Sequence, residues 1–251
     1  MMEKINFFKY QGAGNDFIII DDLPNDTLKT SAQELSKKIC DRHYGVGADG
    51  LVIIKKQDDM FAWDFFNSDG SFAAMCGNAA RCVALHIYKE QHLASAVLQT
   101  GAGLVGLKKI EDKFSVEMPP YKNFEQVEEN VVYVDTGVPH FAVEVHKDED
   151  VFSYIKEYRW HKMAGEYGAN VSFYYKENDT YIAKTFERGV EGFTLACGTG
   201  AAACGVAIFK KSKQSQVPIS MPGGNLTVQI VDEKLFLIGS AERICQGEFY
   251  V

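Results

Sequence analysis

No stretch of this 251-residue chain stays apolar for the roughly 18 residues that a membrane span needs. The opening residues, Met1-Met2-Glu3-Lys4, run straight into a strand-like segment with no apolar h-region between. No signal peptide is therefore expected, and the cytoplasm is the default setting. Basic residues are in deficit: 26 Lys and Arg stand against 34 Asp and Glu, for a net charge of −8. Phosphate binding needs a basic surface, so nucleic acid is not an expected partner. A small zwitterionic ligand is read locally and is not disfavoured by this balance.

There is also no C-x-x-C pair among the six cysteines, Cys40, Cys76, Cys82, Cys197, Cys204 and Cys245. The two close pairs, Cys76 with Cys82 and Cys197 with Cys204, are spaced too widely for a structural zinc knuckle. No metal is expected. A disulfide framework suits small secreted domains better than a chain of this length without a secretion signal.

What is present is a chain with 46% hydrophobic residues, enough for one large domain or two modest ones. Segments 5–10, 17–21, 51–55, 61–66, 104–110 and 113–118 are rich in β-branched and aromatic residues between turn signals. Segments 131–134, 141–145, 171–175, 180–186, 226–231 and 235–238 repeat the style. Many alternate apolar with polar, as half-exposed antiparallel strands do. Helical spacing appears over 31–43, 78–91 and 199–211, and in the stripe Val151, Tyr154, Ile155 and Tyr158. Pro119-Pro120, between the strand 113–118 and the polar stretch 121–130, read as a linker. The expected domains are 1–118 and 119–244, with the last residues, from about 245, packing on the first.

The chain also echoes itself. Residues 76–84 read CGNAARCVA and residues 197–207 read CGTGAAACGVA. Each begins Cys-Gly, adds a small polar residue (Asn78 or Thr199) and enters an alanine-rich helix. This is the pattern of one structural unit used twice. Each cysteine precedes a helix start, where unpartnered N–H groups carry partial positive charge. A thiol in that position ionises more readily, and the same N–H groups can bind a carboxylate. Two such thiols on opposite faces of an amino acid could remove its α-proton from one side and return a proton to the other. Configuration would invert by general acid–base catalysis, without a cofactor. Cys40, Cys82, Cys204 and Cys245 read as small buried hydrophobes.

The ordered motifs carry a family resemblance. They are GAGNDF at 12–17, RHYGVGADG at 42–50, FNSDGS at 66–71 and MCGNAARC at 75–82. TGVPH at 136–140, GANVSF at 168–173 and TFERGVEGFTLACGTGAAA at 185–203 complete the series. In order and spacing, along nearly its whole length, the chain resembles the diaminopimelate epimerase family. That resemblance implies two similar α+β (α/β) domains, each a curved, mostly antiparallel sheet around a central helix. It implies conversion of LL-2,6-diaminopimelate to the meso isomer, on the route to lysine and peptidoglycan. It also implies no cofactor, a small amino-acid substrate, no membrane partner, and the homodimer common among members. Cys76 and Cys197 match the paired acid and base, and His140 and Glu187 match residues that tune them. Asn15, Asn67, Asn170 and Arg188 match substrate contacts, with Arg188 on the distal carboxylate and Glu187 also facing the distal ammonium. Gly77, Asn78, Gly198 and Thr199 match donors to the carboxylate at the reacting carbon. Domain closure on substrate is expected, to exclude water.

The match has departures. Val138 stands where many members carry Asn, and the run Glu187-Arg188-Gly189-Val190-Glu191-Gly192-Phe193-Thr194 has one residue more than the usual ERGxGET, with Phe193 where Glu is common. Ala79 and Ala80 replace a more usual Gly-Ala. The first two bear on substrate choice, not on the cysteines. Taken singly, each site residue also has a plainer reading. Asn67 before Ser-Asp-Gly can be a turn residue, Glu187 with Arg188 a surface ion pair, and His140 a core or turn histidine. The alternatives to a diaminopimelate epimerase are a racemase for proline, hydroxyproline or histidine, a redox-active dithiol protein, and a non-catalytic binding module. Proline and hydroxyproline racemases usually carry His where Asn78 stands.

Overall fold

The computed structural model describes residues 4–22, 28 and 30–251. The chain divides into two compact units, Met1–Val116 with Ser240–Val251, and Glu117–Gly239. The first unit opens with strands β1 (Lys4–Gly12) and β2 (Asn15–Asp21), helix α1 (Ala32–Ile39), β3 (Gly50–Gln57) and β4 (Met60–Asn67). Helix α2 (Gly77–Gln91), β5 (Ser95–Thr100), β6 (Gly103–Ile110) and β7 (Lys113–Met118) follow. The second unit runs β8 (Lys122–Glu128), β9 (Val131–Asp135), β10 (Pro139–Glu144), α3 (Phe152–Tyr158), β11 (Asn170–Glu177), β12 (Thr180–Glu187) and β13 (Gly192–Phe193). It continues with α4 (Gly198–Ser212), β14 (Gln216–Met221), β15 (Gly224–Val231) and β16 (Lys234–Gly239). The last strand, β17 (Glu242–Tyr250), returns to the first unit and pairs antiparallel with β1.

The two units share one topology. In the first, the β1–β2 hairpin is followed by α1 and a parallel step from β2 to β3. The β3–β4 hairpin then leads through α2 to a parallel step from β4 to β5, and β5, β6 and β7 finish as a meander. In the second, β9–β10, α3, β11–β12, α4 and the β14–β15–β16 meander repeat the order. The fold is α+β, mostly antiparallel, with two parallel steps in each unit. Two of the strands in parallel pairs lose alternation. β3 and β11 each begin with five consecutive buried residues, as strands covered on both faces do.

Each unit wraps its second helix. Helix α2 touches β1, β2, β5, β6 and β17, and α4 touches β9, β10, β11, β12, β14, β15 and β16. Gly77–Ile87 of α2 is buried without a break, as befits a helix enclosed on all sides. Small residues let the strands come close to α4: Ala201, Ala202 and Ala203 are fully buried. At Gly205 a Cβ would lie 2.6 Å from Val228 Cβ.

Some sequence expectations need correction. Helix α1 stops at Ile39, short of residue 43, because Asp41 turns the chain by accepting the amides of His43 and Tyr44, each at 2.7 Å. The polar stretch 121–130, for which the sequence suggests no element, is structured. It contains β8, an exposed strand paired with β9 through two register irregularities. Strands β5, β14 and β17 were not anticipated. Cys245 lies exposed on β17 and is not a core residue.

Candidate active site

In the first unit Cys76 is the N-cap of α2, with extended backbone (φ −145°, ψ 120°). Gly77 and Asn78 form the first helical positions. The Cys76 sulfur does not cap the helix; it lies 3.9 Å from Asn15 Oδ1. Asn15 begins β2, directly after the tight turn at Ala13 and Gly14. Its carbonyl oxygen also accepts Asn78 Nδ2 at 3.2 Å. Two separate motifs, GAGNDF and MCGNAARC, thus meet at one thiol. Asn67 sits in a turn: its side-chain amide bonds Ser71 Oγ at 2.9 Å and its backbone carbonyl accepts Ser36 Oγ at 2.7 Å.

In the second unit Cys197 is the N-cap of α4, again extended (φ −124°, ψ 108°). Here the sulfur does cap, accepting the Gly200 amide at 3.3 Å. Gly198 and Thr199 open the helix, and Thr199 Oγ1 lies 3.4 Å from the sulfur. That hydroxyl is in turn 2.9 Å from His140 Nε2. His140, on β10, is fully buried, and burial together with the nearby Arg188 charge lowers its pKa to about 3. The ring is therefore neutral. Its Nδ1 meets Ser172 Oγ at 3.0 Å, and Ser172 Oγ meets Thr185 Oγ1 at 3.0 Å.

The tautomer follows from the partners. Asn170 Oδ1 accepts the Arg188 amide at 2.8 Å, so its Nδ2, 3.3 Å from His140 Nε2, is the donor there. Nε2 is then the ring acceptor, and the proton sits on Nδ1, donated to Ser172. Helix α4 fits against this hydroxyl pair only because position 200 is glycine. A Cβ there would lie 2.2 Å from Thr185 Oγ1 and 2.9 Å from Ser172 Oγ.

Glu187 and Arg188 turn to separate partners. The half-buried Glu187 carboxyl accepts Thr194 Oγ1 and hydrogen-bonds the Cys197 sulfur. Burial outweighs those bonds and raises its pKa. Arg188 Nη1 donates to Gly168 O at 3.1 Å. The extra residue of the 187–194 run lies in a tight turn. Glu191, at φ 53°, returns its amide to Glu187 O at 2.8 Å, and its carboxylate accepts Arg159 Nε at 3.1 Å. Arg159 is only 5% exposed and also donates to Tyr167 O. Phe193 pairs with Phe186 across β12 and packs near Phe173. The inserted turn is thus fastened to the segment carrying Gly168 and Asn170.

The other cysteines differ in kind. Burial pushes the Cys82 thiol up to about 12 and the Cys204 thiol higher still, and Cys40 up to about 11. Among the described residues no group of three or more His, Cys, Asp or Glu could hold a metal ion, and no helix is long and apolar enough to cross a membrane. A cavity of about 300 Å³ in the second unit is lined by Val145, Lys147, Glu149, Tyr175, Lys184 and Met221, among others. It includes no residue of the Cys197 group. Sequence reasoning missed Ser172, Thr185, Thr194, Thr136, Asp49 and Arg81. Thr136 Oγ1 bonds Thr199 O at 2.8 Å and steadies the helix start. All six lie within the matched motifs, but nothing local marked them.

Similarity to known proteins agrees with this geometry. The family profile described as "Diaminopimelate epimerase" matches residues 7–122 and 132–244. A diaminopimelate epimerase of Hydrogenobaculum sp. (strain Y04AAS1) is 40% identical over 95% of this chain and 96% of its own. That of Aquifex aeolicus (strain VF5) is 37% identical over 97% of each. Among solved structures, a phenazine biosynthesis protein of the PhzF family from Enterococcus faecalis superposes with a TM-score of 0.76 at 14% identity, over 99% of this chain and 100% of that one. A hydroxyproline epimerase from Agrobacterium vitis reaches 0.69 at 12% identity, over 99% and 93%. These distant structures share the fold. The profile match and the close relatives give the conclusion that the chain belongs to the diaminopimelate epimerase family.

Proposed function

We propose that this protein is an isomerase that epimerises LL-2,6-diaminopimelate to the meso isomer, with Cys76 and Cys197 as its acid and base and with no cofactor. The observation that carries this reading is the repeated placement of a cysteine at the N-cap of the enclosed helix in each unit. Family membership supports the substrate.

The chemistry needs one thiolate on one face of the α-carbon and one thiol on the other. The thiolate takes the α-proton and becomes a thiol. The electron pair left on carbon delocalises into the adjacent carboxylate. The opposite thiol gives its proton to the other face and becomes a thiolate. The helix-start amides at Gly77, Asn78, Gly198 and Thr199 suit the carboxylate, where negative charge grows as the proton leaves. A helix N-terminus also favours the thiolate electrostatically.

In the second unit Thr199 can accept from the Cys197 S–H while donating to His140 Nε2, or turn its proton to the sulfur once that is anionic. The neutral His140 holds the hydroxyl without adding a charge. Glu187, with its raised carboxyl, can share a proton with the same sulfur. Arg188, whose guanidinium forks well onto carboxylates, suits the distal end of the substrate, with Glu187 toward the distal ammonium. Asn15 and Asn170 serve as substrate contacts, and so does Asn67, at the margin. A cytoplasmic setting and a homodimer complete the reading.

Proton NMR of the fully reduced protein with LL-diaminopimelate in D₂O tests it, beside a Cys76→Ala control. Loss of the α-proton signal with appearance of the meso isomer, absent in the control, is the expected result. No exchange would overturn the substrate, and a screen of proline, hydroxyproline and histidine would then test the two-thiol chemistry by itself.

A further inference from the structure

Arg81 is the largest fully buried side chain among the described residues, and its hydrogen-bond partners are all neutral oxygens. It donates to Gly77 O at 3.4 Å, to Ser240 O at 3.3 Å and to Asn78 Oδ1 at 3.0 Å. Burying a guanidinium without a carboxylate beside it is costly, so the position needs an explanation. The bonds that leave Asn78 supply one. Asn78 Nδ2 donates to Asn15 Oδ1 at 3.2 Å, and Asn15 Nδ2 donates to Asp49 Oδ2 at 2.6 Å. The result is a chain of one polarity, beginning at a cation and ending at an anion.

Neither amide in that chain can turn over. A guanidinium only donates, so Asn78 must show it the carbonyl oxygen. A carboxylate only accepts, so Asn15 must show it the NH₂ group. The oxygen of Asn15 is thereby aimed at the Cys76 sulfur, 3.9 Å away. Asp49 is itself held by Arg42 at 2.8 Å, and Arg42 and Lys9 both pair with the adjacent Asp16. Three motifs of the first unit, GAGNDF, RHYGVGADG and MCGNAARC, are one hydrogen-bonded assembly.

We infer that Arg81 and Asp49 are positioning residues which fix the amide orientations of Asn78 and Asn15, so that an acceptor and not a donor faces Cys76. The effect is that Asn15 holds a hydrogen-bond acceptor toward the Cys76 S–H, against the pull of the helix start and of the Arg81 charge toward the thiolate, until substrate disturbs the chain. This deepens the function proposed above and rests on Cys76 being a reacting thiol.

Asp49 is 44% exposed, so its variants are well placed to fold. Asp49→Asn still offers an oxygen to Asn15, and the Arg81 end keeps the chain oriented. Asp49→Lys offers only a donor and opposes Arg81. Alkylation of Cys76 by iodoacetamide at neutral pH, read by mass spectrometry of its peptide, should stay within about twofold of the parent in Asp49→Asn and rise about tenfold in Asp49→Lys. In the same Asp49→Lys protein kcat for epimerisation should fall about tenfold with a smaller change in KM. Even steps from Asp to Asn to Lys would mean a through-space charge effect and would overturn the inference, as would no change in either variant. Alkylation needs no substrate. The expected pattern without epimerisation would therefore sink the proposed function and leave the chain standing, and epimerisation without the pattern would do the reverse.

Discussion

His140 Nε2 and Thr199 Oγ1 lie 2.9 Å apart, and the same hydroxyl is 3.4 Å from the Cys197 sulfur. The imidazole reaches the thiol through that hydroxyl. Thr199→Val keeps the shape and removes the bridge. It should lower kcat about tenfold or more, the loss expected for a hydrogen bond to a group that becomes charged, roughly 1.5–3 kcal/mol. Thr199→Ser should recover most of the rate. A Val variant with unchanged kcat would remove His140 from the chemistry.

The buried imidazole also sets an acid limit on stability. The His140 pKa is about 3 in the folded protein against 6.5 for the free side chain. Between those values the unfolded chain binds a proton that the folded chain refuses. The stability due to neutral His140 is thus complete above pH 6.5 and is lost as the pH falls toward 3. Glu187 acts in the opposite sense. Its raised carboxyl contributes at low pH, and that contribution is lost as the pH rises through its folded value. Urea midpoints measured across this interval should fall less steeply in His140→Gln than in the parent. Parallel curves would contradict the assignment.

Gly200 has no room for a methyl group. Gly200→Ala drives a Cβ against Thr185 Oγ1 and Ser172 Oγ. A cost of about 1–3 kcal/mol in stability is expected, with a loss of rate as the Ser172–His140 contact is disturbed. Adding Thr185→Ala should restore part of the stability, so the double variant should be less damaged than the sum of the two singles. Strict additivity, read from denaturation midpoints, would show that the clash is relieved elsewhere.

Glu191→Ala leaves Arg159, 5% exposed, without its carboxylate partner. The expected cost is about 1–3 kcal/mol. The inserted turn would loosen, and with it the segment that positions Arg188 against Gly168. Steady-state kinetics should show KM raised by about threefold to tenfold and kcat little changed, the pattern of lost substrate binding. A fall in kcat alone would place the turn's influence at Cys197.

The legible part of this protein was the part written locally. A Cys-Gly step before an alanine-rich run marks a helix start, and both α2 and α4 begin within a residue of that expectation. Two of the strands that escaped notice, β8 and β17, carry little apolar alternation, because their side chains do not face a core, whereas β14 does alternate, burying Val217, Ile219 and Met221, but is interrupted by Pro218. β8 shows no more than partial burial anywhere along its length, and β17 is much the same. What holds β17 is its register with β1, whose partners lie at the far end of the chain. The supporting residues were hidden for a related reason. Ser172, Thr185 and Arg81 are ordinary in sequence and gain a role only when distant segments bring His140, Gly200 and Ser240 beside them. Glu187 and Arg188 are adjacent in sequence but turn to different neighbours, a divergence their adjacency could not reveal.

Synthesis order gives the pairing of β17 with β1 a temporal meaning. The second unit, Glu117–Gly239, is continuous and can close as soon as it has left the ribosome. The first unit cannot, because one side of β1 is completed only by residues after Ser240. Until they arrive, β1 is an open sheet edge of the kind that recruits other strands. The half that is begun first is therefore finished after the second, and Cys76 waits in an incomplete unit until β17 has been made.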